Sequence, residues 1–462
     1  MAALVSSRAF LRTTSSAAGS VKLAGTAAAL VRPTFGSSSS LTAASFRRLA
    51  SSSSGSDDAK LRKTALYDLH VQHGGKMVPF GGFHMPVQYS GLSVSASHHF
   101  TREKASLFDV GHMVQRHLTG PGAAAFLEAL TPSGIEALEP HRSTLSTFLW
   151  ANSSGGIVDD TIITRLGPQH FYVVTNAGCR DKDDAYLAHW LADENLRSRL
   201  PGAVHHEELA GWGLVALQGP LAKDILAESL ADGEAADLPS LFFGSSLFAR
   251  LQIGDGEISS PLLISRSGYT GEDGFEISIP PEETVAVTEA LLRTGTPKRL
   301  QFAGLGARDS LRLEAGMCLY GHDLDDTTSP VEAGLSWIIP KARRNDYSFN
   351  GAETILEQLR PKSQGGVGVT RRRVGLVVEG APAREGAEIV QLSGEGGSST
   401  TTIGRVTSGC PSPTLGKNIA MGYIKDGLHK AGTEVGVVVR GKTRKAVVTK
   451  MPFVPAKYWK GA

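Results

Sequence analysis

Residues 146–166, STFLWANSSGGIVDDTIITRL, alternate two runs rich in β-branched and aromatic residues with a Gly-containing turn, and read as strand, turn, strand. Just downstream, residues 170–178 (HFYVVTNAG) read as a further strand that ends at Asn-Ala-Gly. Helical patterns are interleaved with these strands. Residues 120–132 (GPGAAAFLEALTP) and 281–295 (PEETVAVTEALLRTG) carry apolar side chains at three- and four-residue spacing and stop at Pro or Gly. The region up to residue 364 is therefore expected to be α+β, with two interleaved domains in 57–364.

The character changes after residues 360–373 (RPKSQGGVGVTRRR), which read as a Gly- and charge-rich linker. From Val374 onward come six short β-prone runs, VGLVVEG, AEIVQL, IGRVTSG, IAMGYI, EVGVVVRG and KAVVTKM, divided by Gly, Pro and Ser. Regular short strands of this kind predict a small β-barrel or sandwich over residues 365–462.

The 462-residue chain opens on a segment of different composition. Residues 1–56 contain no Asp or Glu, while Arg8, Arg12, Lys22, Arg32, Arg47 and Arg48 are spread through Ala, Ser and Thr. That is the composition of an organellar transit peptide without the apolar core of a secretory signal, and it predicts the mitochondrial matrix. The whole chain has 47 Lys plus Arg against 45 Asp plus Glu; setting aside those six basic residues leaves 41 against 45. A mildly acidic remainder argues against nucleic acid as a partner. No apolar run approaches the roughly 18 residues of a membrane span, so no membrane partner is expected. Three distant cysteines, Cys179, Cys318 and Cys410, offer neither a disulfide framework nor a Cys-x-x-Cys metal site, and no metal is expected. Phosphate loops, complete dinucleotide fingerprints, zinc-hydrolase helices and the Gly-x-Ser-x-Gly elbow are all missing from the sequence.

Scattered polar residues remain as candidates. Asp159 and Asp160 fall in the strand of the opening stretch, and alternation sends their carboxylates to opposite faces. One reading has both beside a turn or in solvent; the other has one carboxylate held among apolar neighbours, where desolvation sets its proton affinity. Spacing does not choose between them. In residues 265–278 (SRSGYTGEDGFEIS), Phe275 and Ile277 share a face with Ile279, leaving Glu276 beside Ser278 on the other. A strand is a rigid mount for a binding carboxylate, and an ordinary solvent-facing glutamate would alternate in the same way. Residues 306–316 (GARDSLRLEAG) read as a helix with Arg308 and Arg312 one turn apart and Asp309 within reach of Arg312, either a surface ion pair or a guanidinium mounted for a planar, acceptor-rich ligand. In TRRRVG, Arg371, Arg372 and Arg373 stand just before a strand, either a solvated charge run or a docking site for an acidic partner; if the strand extends that far, alternation points Arg372 away from its two neighbours.

These residues resemble a known family. LYDLHVQHGGKMVPFGG, SLFDVGHM, GGIVDDTII, YVVTNAG, GYTGEDGFEIS, ARDSLRLEAGMCLYG, PVEAGLSW, RRRVGL, VTSGCPSP and KMPFVP are similar to motifs of the glycine cleavage system T-protein, the aminomethyltransferases, in order from about Leu66 to Tyr458. The resemblance implies a three-domain cloverleaf around a central folate channel. It implies transfer of the methylene carbon from the aminomethyl-lipoyl arm of H-protein to tetrahydrofolate as co-substrate, with release of ammonia, in a system that also contains P- and L-proteins. Carried over residue by residue, it makes Asp160 the catalytic aspartate and Glu276 the pterin-binding glutamate, and leaves Glu272 and Asp273, inside the turn, as local structure. Arg308 and Tyr458 match substrate-binding positions, and Met113, Asn176, Trp337 and Arg373 match residues lining the folate site, Arg373 toward folate's acidic tail. One departure is visible: Gly111 stands where the family usually has serine. The alternative is a non-catalytic folate-binding iron–sulfur cluster assembly factor, whose KGCYxGQE-like signature is not matched by LEAGMCLYGHD at residues 313–323. A folate domain of a dimethylglycine- or sarcosine-oxidising enzyme would be fused to a flavin domain, for which this chain has neither room nor fingerprint.

Overall fold

The computed structural model describes residues 61–234, 236–392 and 401–461. The expected transit peptide, residues 1–56, lies outside the described residues. Two antiparallel-rich sheets and a closed barrel account for most of the strands. The five-stranded sheet runs Ser143–Leu149, Ile157–Gly167, His170–Thr175, Val114–Thr119, His205–Glu208 in spatial order, every neighbour antiparallel. The opening stretch supplies its first two strands. Their turn needs glycine at Gly156, where a Cβ would lie 1.9 Å from the carbonyl oxygen of Asp326.

The six-stranded sheet is ordered Ser245–Ala249, Leu262–Arg266, Gly274–Ile279, Gly213–Gln218, Ala105–Asp109, Leu300–Phe302, with only the last pair parallel. Helices cover one face of each sheet. Ala123–Leu130 and Arg180–Ala192 pack Phe126, Leu127, Tyr186 and Leu187 on Phe148, Ile163, Phe171 and Val173 of the first sheet. Ala222–Ser229 and Thr284–Arg299 pack Ile225, Leu226, Val287 and Leu291 on Val215, Phe275, Ile277 and Ile279 of the second. Phe275, Ile277 and Ile279 are completely buried, each contributing about 1.5–3 kcal/mol.

The opposite face of the strand Gly274–Ile279 is not solvent. Ser278 is buried and donates to Gln115 Oε1 at 2.6 Å, and Tyr172 of the five-stranded sheet donates to the same oxygen at 2.7 Å. The two sheets thus meet face to face across Gln115. Alternation correctly separates Glu276 from Phe275, Ile277 and Ile279, but the alternative to the core is a second interior between sheets.

The barrel closes in the order Arg371–Val378, Lys417–Lys425, Thr402–Ser412, Glu388–Val390, Glu434–Val439, Lys442–Thr449. All six β-prone runs become strands around a core that includes Val374, Leu376, Ile389, Ile424, Val437 and Val448. The three arginines read as the end of a linker are instead the first residues of the first barrel strand, paired as Arg371↔Lys425 to Arg373↔Tyr423. Pairing with a neighbour strand overrides their charge. Arg371 and Arg373 reach the segment 316–333, whereas Arg372 turns away to Asp426 at 2.6 Å.

Helix Leu305–Glu314 joins sheet to barrel. Arg312 holds Asp323 (2.7 Å) and Ser408 (2.9 Å), and Glu314 accepts from Ser412 (2.5 Å), Thr414 (2.8 Å) and Arg102 (2.7 Å). Arg102 also binds Glu272 at 3.0 Å. Glu272, expected to serve only its own turn, is therefore a long-range anchor; Asp273 is the local one, held by Arg266 at 3.0 Å.

Candidate functional site

Asp160 and Asp159 leave opposite faces of Ile157–Gly167. Asp159 is fully buried toward helix Arg180–Ala192, and Asp160 is half-buried on the side shared by Ile162 and Thr164. Asn176 nevertheless reaches both. It stands one residue beyond the last pair of its strand with Ile157–Gly167, Thr161↔Thr175, where the ladder ends and a side chain can lie along the strand edge. Its backbone N–H donates to Asp159 Oδ2 at 2.8 Å, and its Nδ2 donates to Asp159 Oδ1 at 2.9 Å and to Asp160 Oδ1 at 2.8 Å.

Burial raises the Asp160 carboxyl, the neighbouring Asp159 raises it further, and donation from Asn176 opposes both, leaving it pushed up to about 7. Asp323, one of whose oxygens is held by Arg312, adds a smaller upward push. A carboxyl group with balanced protonated and ionised forms near neutral pH can both accept and return a proton.

Glu276 is half-buried and accepts from Ser267 Oγ at 2.7 Å. It lines a small cavity between the sheets together with Ile162, Thr164, Tyr172, Leu214 and Leu263. Ile162 and Thr164 share the face of Asp160, so the Asp160 carboxyl leaves its strand on the side that faces this cavity without lining it. Met113 and Val174 pack against the buried cluster of Phe108, Leu214 and Ala216 with Ala307 and Leu311 of helix Leu305–Glu314.

On that helix the two arginines have different duties. Arg312 is buried and fully engaged, with Asp309 at 2.8 Å besides Asp323 and Ser408. Arg308 has no ion pair among the described residues, and its Nη1 is buried without a hydrogen-bond partner. Its guanidinium lies 4.7 Å from the centre of the Tyr269 ring, and Tyr269 in turn donates to the carbonyl of Cys318. Burial lowers the proton affinity of Arg308, while Tyr269 and Glu276 support its charge. A desolvated guanidinium with an unused donor is a receptor for an acceptor-rich ligand.

The other sequence-derived candidates lie at varied distances from this centre. Arg373 is held by backbone, with Nε on the Ala333 carbonyl at 2.7 Å and Nη1 on that of Gly316 at 3.0 Å. Trp337 is 63% exposed in a short 3-10 turn. Tyr458 stacks on Phe243 with ring centres 4.0 Å apart, its hydroxyl pushed up to about 12 by burial, and no hydrogen bond joins it to Asp160, Glu276 or Arg308 among the described residues. Gly111 donates its N–H to Asp109 Oδ1 at 2.8 Å; a Cβ there would sit 3.1 Å from that oxygen.

Sequence reasoning missed Tyr269, Gln115, Asp323 and Asp183. Tyr269 was findable, as the one aromatic among the glycines of residues 268–274. Asp183 was not, because RDKDDAY at residues 180–186 has the composition of a solvated helix face.

The model described as "GCVT N-terminal domain" matches residues 66–343, and that described as "Glycine cleavage T-protein C-terminal barrel domain" matches residues 371–455. The chain is 48% identical over 408 residues to a probable mitochondrial aminomethyltransferase of Schizosaccharomyces pombe, covering 88% of this chain and 97% of that one. It is 47% identical over 404 residues to the mitochondrial aminomethyltransferase of Pisum sativum, covering 87% and 92% respectively. The crystal structure of glycine cleavage system aminomethyltransferase T from Bartonella henselae superposes with a TM-score of 0.74 at 37% identity, covering 87% of this chain and all of that one. With both domain models and near-full-length relatives in agreement, the chain belongs to the glycine cleavage T-protein family.

Proposed function

We propose that the chain is a mitochondrial aminomethyltransferase of the glycine cleavage system that uses tetrahydrofolate as co-substrate. The methylene carbon of an aminomethyl group on the lipoyl arm of H-protein passes to tetrahydrofolate: two folate nitrogens replace its bonds to the amine nitrogen and to the lipoyl sulfur, their two protons leave on ammonia and on the lipoyl thiol, and methylenetetrahydrofolate forms. P- and L-proteins are its further partners in that system. Residues 1–56 would act as the transit peptide, 57–364 would form the main folate-binding region as two interleaved α+β domains, and 365–462 would form the barrel domain that adds Arg373 and Tyr458 to it.

Three observations support the residue-level reading: Glu276 lines the inter-sheet cavity, Asp160 lies on the strand face whose Ile162 and Thr164 line the same cavity, and Arg308, close enough to Glu276 to be supported by its charge, keeps a buried donor without a partner. Glu276 would accept two parallel hydrogen bonds from the aminopyrimidine edge of the pterin. Asp160 would orient the folate amine and take its proton as that amine bonds to the methylene carbon, while the departing nitrogen gains one and leaves as ammonia. A group poised near neutrality serves both proton movements. Arg308 would meet an acceptor on the ligand, and Met113 and Asn176 would border the ring. Trp337 and Tyr458 would contact substrate farther from the reacting carbon. Arg373, with Nε and Nη1 held by carbonyls, would offer Nη2 to folate's acidic tail.

The test is formation of methylenetetrahydrofolate from aminomethylated H-protein and tetrahydrofolate by the wild-type chain and by Glu276→Ala at subsaturating folate. Product with the first and a marked loss with the second supports the assignment; equal rates would remove Glu276 from the folate site.

A further inference from the structure

Asp183 lies on helix Arg180–Ala192, behind the strand that carries Asp159, and is fully buried. Neither oxygen of its carboxyl group receives a hydrogen bond from an N–H or O–H donor among the described residues. What it meets is the carboxyl group of Asp159, within hydrogen-bonding reach. Two buried carboxylates in contact do not both remain ionised, so the pair holds a proton. Asp159 is the member with donors of its own, the N–H and Nδ2 of Asn176. The proton therefore sits on Asp183, whose O–H points at Asp159.

We propose that Asp183 is a positioning residue: its proton, held against Asp159, keeps that carboxylate gripping Asn176, whose amide then donates to Asp160. The inference rests on the transferase role proposed for Asp160 and extends it one layer inward. The chain runs from helix Arg180–Ala192 through Asp159 and Asn176 to the reacting carboxyl, and ties a strand end to a rigid element. Burial raises Asp183 well above the ordinary carboxyl range, and Asp159 adds to this. The other charged or titratable groups facing the pair are Lys182, Tyr186 and Cys179 from its own helical segment, Asp160 from the strand of Asp159, Arg116 from Val114–Thr119, and Tyr320 and Asp326 from the segment after helix Leu305–Glu314. Lys182 donates to Asp326 at 3.1 Å and to Tyr320 at 2.6 Å and makes no hydrogen bond to Asp183, so it does not take the place of the proton shared by the pair. No proton is consumed by this arrangement. It stays on Asp183 while Asp160 exchanges its own.

The test compares Asp183→Asn with Asp183→Ala in the full chain. The amide of asparagine donates to Asp159 as the protonated carboxyl does; alanine donates nothing. Asp183→Asn should keep kcat within about threefold with an unmoved pH profile, whereas Asp183→Ala should lose at least about tenfold in kcat, displace the acidic limb, and leave KM for tetrahydrofolate within about twofold. Equal losses in the two variants, or none in either, overturn the proposal. A second measurement needs no turnover and so separates this proposal from the transferase reading itself. Infrared spectra of 13C-aspartate-labelled wild-type chain at about pH 9, where Asp160 is ionised, should show the C=O band of a protonated aspartyl group, abolished by Asp183→Asn. If the labelled wild type lacks that band, the proposal is wrong whether or not either variant folds.

Discussion

Asn176 Nδ2 lies 2.8 Å from Asp160 Oδ1 and 2.9 Å from Asp159 Oδ1, so one amide group spans two carboxylates that their own strand sends to opposite faces. The hydrogen bond to Asp160 favours its ionised form, against burial and the Asp159 charge. Replacing Asn176 by alanine removes that downward influence. The acidic limb of the kcat pH profile should then move to higher pH, and turnover at pH 7 should fall by roughly an order of magnitude. A limb that stays in place or moves to lower pH contradicts this assignment.

Asp160→Asn should abolish most turnover and stabilise the fold at alkaline pH. A carboxyl group raised in the folded state binds its proton more tightly there than in the unfolded chain. Its favourable contribution is complete below the unfolded value of 3.8 and lost as pH rises through about 7; above that the buried charge is a liability. The gap between 3.8 and about 7, at 1.36 kcal/mol per pH unit, caps that liability at about 4 kcal/mol. Partial exposure lowers the expectation to about 1–3 kcal/mol. Urea unfolding at pH 8 and pH 5 measures it: the variant should gain at pH 8 and lose that advantage at pH 5.

The two arginines of helix Leu305–Glu314 should separate binding from stability. Arg312→Leu leaves Asp323 as a buried charge without its guanidinium and should cost about 3–5 kcal/mol in denaturant unfolding. Arg308→Leu removes a buried donor that has no partner, so stability should hold or rise while tetrahydrofolate affinity falls. If the unfolding losses are alike, the division of labour between them fails.

Glu276→Ala should weaken tetrahydrofolate by roughly 1.5–3 kcal/mol, the worth of hydrogen bonds to a charged group, read by titration calorimetry with the fold checked by its thermal transition. An unchanged isotherm would refute contact with the pterin.

Much of the architecture was legible in the residues. The six barrel strands announced themselves because their short apolar runs are divided by Gly, Pro and Ser, and helix Ala123–Leu130 because its apolar spacing stops before Pro132. Alternation also separated Phe275 from Glu276. It could not reveal that the second face is covered by another sheet, since a half-buried polar face carries the same Glu and Ser as a wet one. Glu272 was misread as local because its partner Arg102 is 170 positions away, a separation no pattern of spacing reports. Arg371–Arg373 looked like linker because charge masked a strand whose pairing comes from Lys417–Lys425. The reach of Asn176 to both aspartates depends on where a ladder stops, which is a property of register and not of composition.

The most direct measurement is ammonia release from aminomethylated H-protein by the full chain, with and without tetrahydrofolate, for the wild type and for Asp160→Asn. The account predicts release that is strongly folate-dependent in the wild type and largely lost in the variant. Release indifferent to tetrahydrofolate, or a variant that keeps near-normal folate-dependent release, would contradict it.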